Sequence, residues 1–395
     1  MKVCHVSTFD GGGAFIAGLR YHEQLLKMNV ESSFLVAPKS IHKKISKLYY
    51  DHYAPSFTAK IANRVNIIAR NSKKLKALKG DYELFSFPQT VYQVEENEHI
   101  QQADIIHLHF VSQYINYPGF FKAVKKPMVW TLHDMNPIMG GFHYNIDLER
   151  NKEVFQWMEA KMALKKKELA ANSNIHFIAL SNWMYESLKQ SYYAEYSASI
   201  VHNGIDLLVY KTINNIEDVT SHSVKKKILF VAESFKSYRK GFDLLVDALN
   251  DEEVLCKAEL LALGNMHGAE IPGNMEINAL GFINDEQQKV AIYNSADVVI
   301  IPSREDNFPN IMLEAMACGK PVIAFANGGM SDVIDNTTNG LLVREVSATA
   351  LRKTILKFLN NEIVFDAATI RKFAEARFCI EKQTGKLINI YKSLL

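Results

Sequence analysis

The residues best placed to do chemistry lie in Ser303-Arg-Glu-Asp-Asn-Phe-Pro-Asn-Ile-Met-Leu-Glu-Ala-Met-Ala-Cys-Gly-Lys-Pro-Val322. An apolar run, Val298 to Pro302, reads as a strand. A polar loop with Glu305 and Asp306 follows, and a helix is expected to start near Pro309 and stop at Gly319. The first turn of that helix offers unpaired N–H groups, those of Asn310 and Ile311 among them, to an anion such as a diphosphate. Asp306 and Glu314 are separated by seven intervening residues, one in the loop and one inside the helix, so both can face one ligand at different distances. A carboxylate beside a phosphate site is not a phosphate ligand; it suits the hydroxyls of a sugar and a ribose. The plain alternative is a capping acid and a surface glutamate.

Other chemistry is thinner. His107, His109, His133 and His143 fall near expected strand ends, and a metal is the tempting reading. His107 and His109 are expected on opposite faces of a strand, and no fixed acid or cysteine completes a tetrahedral set, so no metal is expected. The cysteines Cys4, Cys256, Cys318 and Cys379 are far apart and read as isolated buried thiols of a reducing compartment. Neither a Ser–His–acid set nor an activated cysteine stands out, so a protein nucleophile is not expected. The turn Asp10-Gly11-Gly12-Gly13 is not the GxGxxG loop that a dinucleotide-binding enzyme needs.

The elements that must hold these residues read as two similar α/β halves. Of 395 residues, 48% are hydrophobic and 22% charged, which excludes a disordered, collagen-like or disulfide-scaffold protein and allows two domains. No apolar run is long enough to span a bilayer, and Met1-Lys-Val-Cys-His-Val runs directly into a strand and a glycine turn, unlike a signal peptide. Strands are expected at Lys2–Val6, Ser33–Ala37, Ile105–His109, Met128–Leu132 and Ile175–Leu180, with Ile200–Asp206 closing the first half and a helix from the glycine turn through Leu26. Asn214–Ser223 reads as a linker. The pattern restarts with Lys227–Ala232, a helix Gly241–Leu249, and strands at Glu259–Gly264, Asn278–Phe282, Val298–Pro302 and Pro321–Phe325. In open parallel sheets ligands sit beyond the carboxyl ends of the strands, and two such domains in tandem predict a ligand in a cleft between them.

Charge is uneven. Residues 1–200 carry 24 Lys/Arg against 18 Asp/Glu, and the remainder 21 against 25. The surplus is concentrated in Lys60–Lys79, where seven basic residues occur without an acid among apolar residues at near-helical spacing. That segment reads as a basic amphipathic helix able to lie on an anionic membrane, or as a solvated helix face. Nucleic acid is not expected as a partner, since the second half is acidic and no nucleic-acid-binding signature is present.

Taken together, the words EDNFPNIMLEAMACGKPVIAFANGGMSDVI, NGLLV and LGFINDEQQKVAIYNSADVVIIPS resemble glycosyltransferase family 4 (group 1) with its E-x7-E signature. DGGGAFIAGLRYHEQLL, ADIIHLHF, VWTLHDMNPIMGGFHY, ALSNWM and VHNGID extend the resemblance through the first half. It is closest to bacterial capsule, O-antigen and exopolysaccharide enzymes. The resemblance implies an α/β GT-B fold, two Rossmann-like domains facing a central cleft: an acceptor-side domain over 1–206, a nucleotide-sugar domain over 207–379, and a C-terminal helix, 380–395, returning to the first.

By that resemblance Glu314 binds the ribose of a UDP- or GDP-sugar, and Asp306 stands one methylene short of the family's first Glu, beside the transferred sugar. Lys240 binds the donor diphosphate. The family often has an arginine where this chain has Ser234, so Arg239 or Lys236 is left to supply a second charge. Phe282 and Ile283 match the loop that cradles the base. Gly12 and Gly13 match the loop that approaches the donor phosphates, where a side chain would collide, and His133 matches the histidine beside the donor sugar. Relatives often carry a cysteine in the word that here reads Gly140-Gly141-Phe142-His143-Tyr144. The implied activity is transfer of a sugar, with retention, to a hydroxyl of a lipid-linked or oligosaccharide acceptor, without a metal or other cofactor. The implied location is cytoplasmic, at the inner face of the membrane. A catalytically impaired sugar-nucleotide-binding or partner protein, and a nucleotide-sugar epimerase, are the alternatives.

Overall fold

The computed structural model describes residues 1–37, 49–50, 67, 71–73, 80–213, 225–272 and 275–395. The linker expected at Asn214–Ser223 and most of the basic segment Lys60–Lys79 lie outside the described residues. The chain divides into two compact units, Met1–His202 with Gln383–Leu395, and Asn203–Lys382.

The first unit is built on a parallel sheet of β1 (Lys2–Ser7), β2 (Glu31–Val36), β3 (Tyr49–Tyr50), β4 (Ile105–Leu108), β5 (Met128–Leu132), β6 (Ile175–Ala179) and β7 (Ser197–Ile200), in the order β3-β2-β1-β4-β5-β6-β7. The second carries β8 (Lys226–Ser234), β9 (Ala258–Asn265), β10 (Ile277–Gly281), β11 (Val298–Ile301), β12 (Val322–Phe325) and β13 (Gly340–Val343), in the order β10-β9-β8-β11-β12-β13. Both repeat the doubly wound pattern in which the first strand lies centrally and the order reverses beside it. β1 pairs in parallel with β2 and β4, and β8 with β9 and β11. The central strands are near-continuous apolar runs (VVII in β11, VIAF in β12) that are buried throughout, as a sheet covered by helices on both faces requires. Each unit has its own core: one around Trp130, Phe120, Phe142 and Phe155, the other around Phe230, Leu245, Ile300 and Ile323. Helices begin where a side chain takes up a free N–H: Ser181 Oγ accepts from Met184 N, Asp285 from Gln288 N, Ser347 from Ala350 N and Asp366 from Thr369 N.

Most strands fall within one or two residues of their expected positions, and three details differ. Ile200–Asp206 is not a strand. β7 ends at Ile200, and the turn-forming residues His202-Asn203-Gly204 that follow run irregularly, with only Ile205 making an isolated parallel bridge to Cys379. β13 was hidden in Asn339-Gly-Leu-Leu-Val, too short for a period to emerge. The helix after β11 runs Asn310–Ala317, with Pro309 as its N-cap rather than inside its first turn. The final helix, Ile380–Leu394, has Leu387 and Tyr391 buried, and its residues from Gln383 onward pack in the first unit. Cys4 and Cys318 are buried thiols as expected, whereas Cys256 is exposed and Cys379 half-buried.

Candidate functional site

In the second unit the loops after three adjacent strands, β8, β11 and β12, converge. After β8, a 3-10 turn at Tyr238–Lys240 leads through Gly241 (φ 67°) into helix Phe242–Leu249. A Cβ at Gly241 would lie 1.9 Å from the Pro302 carbonyl oxygen, so only glycine lets this turn rest on the end of β11. Gly328, after β12, has φ 53°, and a Cβ there would be 1.8 Å from the Asp306 carbonyl oxygen, which instead accepts from Gly329 N at 3.2 Å.

The result is a compact charge cluster. Lys240 Nζ donates to Asp306 Oδ2 at 2.6 Å, and Arg239 Nη1 lies 3.5 Å from the same oxygen while donating to the Glu305 carbonyl at 3.2 Å. Burial alone would raise the Asp306 carboxyl, but Lys240 and then Arg239 outweigh it and hold it below the usual carboxylate range. Lys236, the other candidate for the second charge, is exposed and lies against Gly268. The second cation at this cluster is Arg239. Arg304 braces the turn: its side chain stacks 3.9 Å above the Tyr238 ring and pairs with Asp243, and its backbone N donates to the Arg239 carbonyl at 2.7 Å. Neither Arg304 nor Asn327, whose Nδ2 donates to the carbonyls of Ser303 and Arg304, carried a sequence signal.

Asn310 and Ile311 open their helix half-exposed, while Met312–Ala317 are buried. Glu314 accepts from Tyr293 Oη at 2.8 Å inside the unit. Burial, and then the charge of Glu314, push the Tyr293 phenol well above its ordinary value, so it stays the donor of that bond. Phe282 is 61% exposed at the rim of a pocket of about 480 Å³. Glu233, Asn265, Met266 and Gly281, at the carboxyl ends of β8, β9 and β10, also line it. Ile283 follows on the same loop.

In the first unit, Gly12 takes φ 81° at the head of helix Gly12–Lys27, directly after the loop that leaves β1, with Gly13 next. His133 follows β5, half-buried, with Nε2 3.0 Å from His109 Nδ1. Burial, partly offset by Asp134, pushes its pKa down to about 4. The expectation that His107 and His109 point to opposite faces is wrong. Residues i and i+2 of a strand share a face, and the two rings stack with centroids 4.3 Å apart. His5, on the neighbouring strand β1, joins them, and one ring nitrogen from each of the three lies within 4.8 Å of the other two.

A Ser–His–Asp set also exists, invisible in sequence because its members span 57 positions. Ser86 Oγ lies 2.9 Å from His143 Nε2, and His143 Nδ1 2.6 Å from Asp134 Oδ2. The set is buried, and the adjacent N–H groups of Gly140, Gly141 and Phe142, which an oxyanion would need, already donate to Glu159. Its role is to tie Ser86 to the 134–143 loop. Lys166 completes that clamp, donating to the carbonyls of Asn136, Met139 and Gly140 from a position 1% exposed. Within the word Gly140–Tyr144, Phe142 packs edge-on to Phe85 and Tyr82 and against Phe155.

Comparison with known proteins places this architecture. Residues 225–361 match the family described as "Glycosyl transferases group 1" and residues 48–208 the family "Glycosyltransferase Family 4". The chain belongs to the family 4, group 1 glycosyltransferases. Among curated relatives, an uncharacterized glycosyltransferase, MJ1607, of Methanocaldococcus jannaschii is 26% identical over 50% of this chain and 54% of its own. The putative colanic acid biosynthesis glycosyl transferase WcaC of Escherichia coli is 25% identical over 73% of this chain and 76% of its own. The chain spans about half or less of the length of the first curated relatives it matches. The crystal structure of Anabaena HepE in complex with UDP matches all of both chains at TM-score 0.67 and 16% identity, which shows a common GT-B fold. Among the described residues, no helix is long and apolar enough to cross a membrane.

Proposed function

We propose that this chain is a retaining glycosyltransferase that moves a sugar from a nucleoside-diphosphate sugar to an acceptor hydroxyl in surface-polysaccharide synthesis. The observation that carries the reading is the cluster after β8 and β11. Two cations, Lys240 and Arg239, meet at one partly buried carboxylate, Asp306, in the loop that leads into helix Asn310–Ala317. Fixed positive charge near a helix N-terminus, in a partly desolvated place, suits a diphosphate that gains charge as it leaves. The naming of WcaC for colanic acid supports the polysaccharide setting, and the UDP held by HepE supports a uridine nucleotide.

The proposed step breaks the bond between the anomeric carbon and the diphosphate oxygen, which keeps the electron pair. The acceptor oxygen forms the new bond on the same face and passes its proton to the departing phosphate. Lys240, Arg239 and the N–H groups at Asn310 and Ile311 hold the leaving group, and no metal or other cofactor is required. Glu314 binds the ribose, Asp306 the transferred sugar, and the rim at Phe282 and Ile283 the base. In the first unit Gly12 and Gly13 accommodate the donor phosphates and His133 the sugar. The proposed acceptor is a lipid-linked or oligosaccharide chain at the inner face of the membrane, with Lys60–Lys79 as the membrane contact. The test is thermal stabilisation across UDP-, GDP- and ADP-sugars, followed by slow nucleotide release without acceptor. Stabilisation without any release would mark a binding protein, and release with an altered donor sugar an epimerase.

A further inference from the structure

The first unit contains a line of three imidazoles, of which the proposed reaction uses only His133. His133 Nε2 lies 3.0 Å from His109 Nδ1, and His109 Nε2 lies 2.9 Å from His5 Nδ1. His109 thus spends both ring nitrogens on other histidines. The line ends in the core, where His5 Nε2 is buried without a hydrogen-bond partner. The rings are held flat: His5 stacks on Phe34 and on His109, and His109 on Phe34. Helix Gly12–Lys27 leaves room for His109 by placing Gly18 against it, where a Cβ would come to 3.0 Å of the ring. His107 lies beside the line but outside it, its nitrogens bonded to Tyr391 Oη at 2.6 Å and Thr131 Oγ1 at 2.7 Å.

A neutral imidazole has one N–H and one lone pair, so three rings in series allow only two proton arrangements. If the protons point inward, His5 must carry its own on Nε2, leaving a buried N–H with no acceptor. If they point outward, the line ends in a bare lone pair. Orphaned buried N–H groups are the rarer and costlier case. From this we infer that His5, His109 and His133 form one relay, protonated on Nδ1 throughout, which fixes His133 as a neutral, Nδ1-protonated donor and prevents it from acting as a base. His109 and His5 are then positioning residues. Only the His133 end approaches solvent, so the line has no exit for a proton and works as a tautomer clamp, not a conduit.

Neutrality agrees with the surroundings. The titratable groups facing the relay are Asp134 beside His133, His107 beside His109 and His5, and His22 edge-on to His5. Burial, with the neighbouring imidazoles, pushes His5 and His109 well below the ordinary histidine value. A divalent ion among His5, His107 and His109 would instead place two positive charges in a core with no carboxylate in that set, and would break the His5–His109 bond.

The functional consequence rests on the reading of His133 as the residue beside the donor sugar, but the test does not. Histidine-labelled full-length protein, examined by ring-nitrogen NMR, should show His133 protonated on Nδ1 and untitrated until pH approaches its pKa of about 4. His109→Phe and His5→Phe should release it, giving the other tautomer or a mixture and a pKa shifted upward, while His109→Gln, which keeps a donor and an acceptor, retains the wild-type signature. In turnover, the two Phe variants should lose about 10–100-fold in kcat with little change in donor KM, as when partners that orient a ligand histidine are removed. Thermal melts identify any variant that has simply unfolded; the wild-type measurement needs none. An Nε2-protonated His133 in the wild type, an unaltered His133 in both folded Phe variants, or a metal ion that co-purifies stoichiometrically and is lost with His5→Phe would each overturn the inference. Failure of the donor-binding panel with the tautomer result intact would refute the proposed activity alone.

Discussion

Truncating Lys240 to Ala removes one of the two cations that hold Asp306. The remaining contact is Arg239, at 3.5 Å rather than 2.6 Å, so a partly buried carboxylate is left half-compensated. Two effects follow. The leaving diphosphate loses a fixed charge where its own charge develops, which costs about 3–4 kcal/mol or 10²–10³ in kcat. The fold loses a charge-assisted hydrogen bond, about 1.5–3 kcal/mol, which for a unit of this size lowers Tm by several degrees. The Asp306 carboxyl also loses its stronger partner. Its folded-state pKa lies below the unfolded value, so its contribution to stability is present above the unfolded value and lost as pH falls through the folded one. In the variant that loss begins at higher pH. The assay is steady-state nucleotide release with and without acceptor, alongside thermal melts at pH 7 and at acid pH. Lys240→Arg should restore the melt and part of the rate. A folded Lys240→Ala enzyme with more than about a third of wild-type turnover, against the 10²-fold minimum expected, would remove Lys240 from the reaction.

Glu314→Gln should raise donor KM more than it lowers kcat, because a ribose contact is present in ground and transition states alike, while Asp306→Asn should do the reverse; indistinguishable kinetic signatures would refute the division of roles. Burial lowers the Lys166 pKa to about 7, so the unfolded chain binds more protons between that value and the ordinary lysine range, and stability should rise with pH across this window. Lys166→Met should flatten that slope in melts from pH 7 to 10, and an unchanged slope would show that another group sets it. If Lys60–Lys79 is the membrane contact, the protein should sediment with anionic liposomes at low salt, be released by roughly 0.5 M salt, and fail to bind when Lys73, Lys74, Lys76 and Lys79 are changed to Glu; equal partition of both proteins would point to a soluble acceptor.

What could be read from sequence was whatever is local. The strand–loop–helix word from Val298 to Gly319 fixes where Asp306, Asn310 and Glu314 stand, because strand, turn and helix signals lie side by side. Lys240 was singled out by resemblance, through the local word Arg239-Lys240-Gly241 that follows the first strand of the second half. What could not be read is pairing across the sheet. Tyr293 meets Glu314 from a helix on another connection, and Ser86, Asp134 and His143 meet only because the 80s segment pairs at Phe85 with Phe142. The error over His107 and His109 is of a different kind. Their spacing of two was in plain view, and a correct use of strand alternation would have placed both rings on one face beside His5, which the β1–β4 register sets opposite His107.

The two departures from the family pattern are linked by distance. Ser234 ends β8 exposed, and the charge the family often carries there is found five residues on, at Arg239, which is buried and aimed back at β11 by the turn that Gly241 permits. Asp306, one methylene shorter than a glutamate, ends where both Arg239 and Lys240 reach a single oxygen. A longer side chain would have to fold back or displace Lys240, because the Asp306 backbone is pinned from behind by Gly328 and Gly329. The shortened acid and the relocated base therefore form one arrangement rather than two independent losses, and their energies should not add. In a cycle of Asp306→Asn and Arg239→Gln, the double variant should be less damaged than the sum of the singles, because the first change removes the charge that the second would leave to Lys240 alone.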